Sequence, residues 1–151
     1  MEVVVNEWLL EYLRPDAEES DRRKAFKFVS IVMQKCYKIV IKGNSPFVNK
    51  FRNYSKLSEQ YIDSKQLFSM LHKLLFRDSD KTIIVNDSEL QTLPEDIAAK
   101  TPSDDKYLIE LWYSKQDRIV VTTDTKLKDK LKDIPNLKIC LLQEFLQEYL
   151  A

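Results

Sequence analysis

Three residues stand where strand ends and helix starts would bring them to one edge of a sheet: Asn6 after "VVV", Asp104 in "PSDDKY" and Asp124 after "IVVTT". Their side-chain oxygens are hard donors of the kind that magnesium or manganese takes. Carboxylates gathered in one place repel one another unless a cation neutralises them, so the placement points to metal-assisted chemistry. Glu7 and Asp105, each beside a site position, are the additional candidate donors, although an extended Glu7 would point to the opposite face of its strand. A plainer reading stands beside this one: Asp104 as a helix cap and Asp124 as a helix start, both common uses of aspartate.

Such a site needs parallel strands whose carboxyl ends converge. Runs of β-branched residues predict strands at about 2–6, 38–42, 82–85, 118–122 and 137–140, and their continuous apolar character suits a sheet covered on both faces. Helical spacing alternates with them. Leu9, Leu10 and Leu13 mark a first helix, and Ala25, Val29, Val32, Met33 and Cys36 mark a long one from about Asp21 to Tyr37. Ser45 and Pro46 open a third helix. Tyr61, Leu67, Phe68, Leu71, Leu74 and Leu75 form another stripe. Ser103 is placed to cap a helix whose buried face is Leu108, Leu111 and Trp112, "TKLKDKL" is a short basic helix, and Leu142, Phe145, Leu146, Tyr149 and Leu150 close the chain. The expected fold is α/β, a three-layer sandwich around a mostly parallel five-stranded sheet, in one domain over 1–151.

Composition narrows the function classes. The 24 basic and 24 acidic residues balance, so a nucleic acid or a charged surface would have to be bound locally. No apolar run reaches a membrane span, and "MEVVVNEWLL" lacks the features of a signal peptide, so a cytoplasmic protein with no membrane partner is expected. Gly43 is the single glycine, which excludes dinucleotide fingerprints and phosphate-binding glycine loops. Cys36 and Cys140 read as reduced core thiols, His72 as structural, and Trp8 and Trp112 as packing residues.

The segment "PSDDKYLIELWYSKQDRIVVTTDTKLKDKL...LKICLLQEFLQEYL" resembles the C-terminal half of PIN domains, in which an acid opens a helix, a strand ends in Thr and Asp, and an "FL" helix closes the fold. "VVVNEWLLEYL" and "NSPFVNKFRNY" are similar to the family's first strand and to its glutamate-bearing helix. The resemblance implies a nuclease acting mostly on RNA, with three or four acids holding Mg2+ or Mn2+. On this resemblance Asp104 and Asp124 fall on two of the acids. Asn6 stands where the first aspartate is expected, Lys50 where the glutamate is expected, and Lys126 where many members carry a further acid. An amide carries no charge and an ammonium opposes a cation, so metal affinity is expected to be reduced.

Two function classes follow. One is a metal-dependent endoribonuclease with catalytic and metal-holding Asn6, Asp104 and Asp124, as the toxin half of a toxin and antitoxin pair. The other is a PIN-like domain that no longer cleaves and serves as a binding module for RNA or protein. Lys50, Arg52, Lys126, Lys128 and Lys130 are the candidate RNA contacts in either case. An antitoxin or another protein is the implied partner, and a homodimer is a further open arrangement.

Overall fold

A computed structural model of the chain, describing residues 1–149, turns the five apolar runs into β1 (Glu2–Val5), β2 (Lys38–Lys42), β3 (Thr82–Val85), β4 (Ile119–Thr122) and β5 (Lys138–Leu141). All four neighbouring pairs are parallel, in the order β3-β2-β1-β4-β5. The register sets Val4 beside Val40 on one side and Val120 on the other. Val3, Val4 and Val5 are all but fully buried although successive side chains point to opposite faces, so both faces of the sheet are covered.

The covering helices are α1 (Trp8–Leu13), α2 (Glu19–Gln34), α3 (Pro46–Ser58), α4 (Ile62–His72), α5 (Glu95–Lys100), α6 (Lys106–Ser114), α7 (Thr125–Leu131) and α8 (Leu142–Tyr149). α2 packs on α1 and α8, α3 on α4, and α6 against β1, β2 and β4. The core runs through Trp8, Phe28, Phe145 and Trp112, with the Trp8 and Phe28 rings edge to face at 5.2 Å between centroids. Ser45 caps α3 by accepting from Val48 N, and Pro46 occupies the first turn, as its fixed φ favours.

Four expectations shift. α2 ends at Gln34 rather than Tyr37, because Cys36 takes a left-handed φ of 55° that stops the helix and turns its side chain out. Cys36 is therefore an exposed thiol, not a core one. Cys140 is half-buried, its thiol pushed up to about 11 by burial and then by Glu144 and Glu148. Tyr61 precedes α4 and is exposed, whereas Leu67, Phe68, Leu71, Leu74 and Leu75 face inward over α4 and the wider π-helical turn Lys73–Arg77 that continues it. Ser103 caps nothing: Ser103–Asp105 form a 3-10 turn after Pro102, and α6 begins at Lys106. Leu150 lies outside the described residues.

Candidate functional site

The order of strands reverses at β1, whose neighbours β2 and β4 are reached by crossovers running in opposite directions. In parallel sheets ligands bind outside the carboxyl ends of the strands at such a reversal, and this edge, at the ends of β1 and β4, is termed the crevice. Asn6 and Thr122 are its floor. The Asn6 side-chain amide donates to Thr122 Oγ1 at 3.3 Å, and the same hydroxyl oxygen accepts from Asp124 N at 3.1 Å. Asn6 Oδ1 in turn accepts from Trp8 N at 3.3 Å, and the Trp8 indole donates to the Val121 carbonyl at 2.9 Å. α1 is thus pinned to the end of β4 by buried polar groups that are all paired.

Around this floor stand the acids. Asp124 precedes α7 and accepts from Lys126 N at 2.9 Å and Leu127 N at 3.1 Å through Oδ1, a side-chain cap that keeps Oδ2 out of those bonds. Asp105 is half-buried at the start of α6. Its carboxyl is held above the usual range, first by burial and then by the negative charges of Asp124, Glu7 and Asp104, with Lys130 working the other way. Those neighbours place Asp105, Asp124 and Glu7 in one electrostatic unit, with Asp104 exposed on the adjoining turn.

Glu7 reaches the unit by a route that an extended strand would forbid. β1 ends at Val5, and Glu7 has φ −64° and ψ −12°, so the alternation of faces no longer applies to it. Its Oε2 accepts from the hydroxyl of buried Tyr107 at 3.3 Å. Burial, the Glu7 charge and this bond raise the Tyr107 pKa far beyond that of a free phenol, so it remains a neutral donor. Tyr107 was not singled out from the sequence. The available signal was a tyrosine on an apolar helix face, whose buried hydroxyl needs a partner.

The basic candidates divide. The Lys50 ammonium pairs with Glu11 of α1, and Lys128 with Glu144 at 2.6 Å. Burial works to lower the Lys50 pKa, but the bond to Glu11 and the charges of Glu11, Tyr54 and Glu7 outweigh it and raise the value. Lys126 and Lys130 are exposed and in no ion pair among the described residues, and Lys130 acts on Asp105. Arg52 is exposed beside a small cavity with Phe51, His72 and Phe76.

No family model and no curated protein matches this chain. Among the described residues no group of three or more His, Cys, Asp or Glu side chains is arranged to hold a metal ion. The acids couple by charge through Asp105 without closing into a cage. Such a donor set fits a hydrated magnesium or manganese ion, which needs only one or two carboxylates and completes its shell with water. It does not fit zinc, whose closed sites use histidine and cysteine.

Proposed function

We propose that the chain is a PIN-type endoribonuclease that works in the cytoplasm with a weakly held Mg2+ or Mn2+ ion. The observation that carries this reading is that Asp124 N and the Asn6 amide share the Thr122 hydroxyl next to Glu7, and that Glu7 is bound by Tyr107, two residues beyond Asp105, so that the charges of Asp124 and Glu7 act on Asp105. Asp105 and Asp124 would hold the ion, with Glu7 and exposed Asp104 at its margin. A bound divalent ion would polarise the phosphodiester and make water a stronger nucleophile near neutral pH. The chain's own residues do the rest. Asn6 and Thr122 fix the floor, Tyr107 orients Glu7, and Lys126 and Lys130 attract the RNA backbone. The resemblance to PIN domains supplies RNA as substrate, and the toxin half of a toxin and antitoxin pair as the setting.

One feature favours a second reading, an RNA-binding or protein-binding module without cleavage. The expected acids at two positions are Asn6, committed to Thr122 and Trp8, and Lys50, committed to Glu11. The deciding experiment is cleavage of end-labelled single-stranded RNA with millimolar manganese. A nuclease cuts, and Asp124→Asn slows it about 100-fold. Because asparagine also caps helices, that variant keeps its fold. A binding module shows no cutting by either protein, and retains RNA binding that weakens with salt.

A further inference from the structure

Between α3 and the end of α4 lies a small cavity of about 230 Å³ lined by Val48, Phe51, Arg52, His72 and Phe76. Three of these residues carry rings. Phe51 and Phe76 stand 5.0 Å apart between centroids at 58°, and the His72 imidazole lies 5.6 Å from Phe76 and 6.2 Å from Phe51, tilted by 38° and 31°. Val48 and Phe51 are buried, and Phe68 packs on Phe51 at 5.8 Å, so the inner wall is firm. The outer wall is open: Phe76 is half-buried, and His72 and Arg52 are exposed. His72 and Phe76 are presented where α4 passes into the π-helical turn Lys73–Arg77, a rare widening of the helix that recurs at functional sites.

The polar members of this lining are a guanidinium and an imidazole, both able to donate hydrogen bonds. No carboxylate is among the five residues, and neither Arg52 nor His72 is in an ion pair among the described residues. Whole drug-sized ligands take about 300–1,000 Å³, so this cavity holds one flat ring system and leaves the rest of the ligand outside, beside Arg52. The planar fork of an arginine binds a phosphate through two parallel N–H bonds. A nucleobase is a flat ring that brings a phosphate with it, and it stacks on aromatic faces whatever its identity. We propose that this cavity is a nucleotide-binding site, with the base among Phe51, His72 and Phe76 and the phosphate on Arg52. A free nucleotide or an unstacked residue of single-stranded RNA supplies the same chemistry. Asn6, Glu7, Asp105 and Asp124 do not line the cavity, so the proposal stands whether or not the crevice cleaves RNA.

His72 is the single histidine, so its ring protons give one unambiguous set of NMR signals, and a stacked base shifts them through its ring current. The full chain is titrated at fixed pH with AMP, adenosine, inorganic phosphate, phenylacetate and an oligoadenylate. AMP should move the His72 signals saturably at millimolar concentration or below. Arg52→Gln, a change at an exposed position that keeps the fold, should weaken AMP about tenfold and adenosine, which has no phosphate, far less. Phe76→Leu should weaken both ligands about tenfold, as loss of a stacking ring does. Saturation by oligoadenylate at a lower nucleotide concentration than by AMP assigns the site to RNA, and the reverse assigns it to a free nucleotide; either result supports the proposal. No shift with AMP or oligoadenylate, an equal effect of Arg52→Gln on AMP and adenosine, or the same shift with phosphate alone overturns it. Tighter binding of phenylacetate than of AMP assigns the cavity to an acidic aromatic ligand without a base and overturns it equally.

Discussion

The Asn6 amide and the Thr122 hydroxyl, 3.3 Å apart, tie the end of β1 to the end of β4 where the strand order reverses. Thr122 is fully buried and also accepts from Asp124 N. Thr122→Val keeps the shape but leaves Asn6 Nδ2 and Asp124 N without an acceptor. The expected cost is about 1–3 kcal/mol, since an unpaired buried donor loses its full desolvation energy. Urea denaturation measures it, and an unchanged midpoint would show that the hydroxyl bridge contributes nothing.

Tyr107→Phe removes the hydroxyl that donates to Glu7. Stability should fall by about 1 kcal/mol. In a metal-dependent enzyme the manganese concentration needed for half-maximal cleavage should rise about tenfold, as it does when partners of a metal-holding group are lost. An effect on stability alone would make Tyr107 a packing residue.

Asp105 sets a pH dependence with a definite sign. Its folded-state pKa lies above the usual value because burial, Asp124 and Glu7 disfavour its charge. Between its ordinary value and the raised one, the folded state binds more protons than the unfolded one, so stability falls as pH rises through that window. Asp105→Asn should therefore raise the melting temperature at pH 7 and lose that advantage below the ordinary carboxylate range. Calorimetry across pH 3–7 reads it out; a variant less stable than wild type at pH 7 contradicts the crowded-acid description. Stability gained at the cost of activity is the usual pattern at a functional site.

Much of the sheet is legible in the sequence because parallel strands buried on both faces read as unbroken apolar runs. "VVV", "IVI", "TIIV", "IVVT" and "KIC" all become strands within a residue or so of their expected limits. Helix ends were harder. The left-handed turn at Cys36 and the 3-10 turn over Ser103–Asp105 are backbone decisions that no side-chain pattern announces. The edge carrying Asn6 and Asp124 was readable from strand ends. The pairing of Asp105 rather than Asp104 with the half-buried interior was not, since a one-residue shift of the turn selects which acid points inward.

Trp8 makes the clamp between α1 and β4 measurable. Trp8→Phe removes the indole bond to the Val121 carbonyl and leaves a gap beside Phe28. A loss of about 2–4 kcal/mol is expected from cavity and hydrogen bond together. Hydrogen exchange at the end of β1 should accelerate in step; unaltered exchange there would separate Trp8 from the floor of the crevice.

The most direct measurement restores the acids. Asn6→Asp adds a carboxylate at the floor beside Thr122 and Asp124, and Lys50→Glu adds one on the side of Glu7 while removing an ammonium and breaking the pair with Glu11. Without metal the double variant should melt below wild type, because like charges are crowded at a partly buried edge. With millimolar manganese it should regain stability, bind the ion more tightly than wild type by titration, and cut single-stranded RNA faster, while the further change Asp124→Asn abolishes all three gains. A double variant that binds manganese tightly and cuts no RNA would contradict the nuclease reading and leave the crevice as a binding surface.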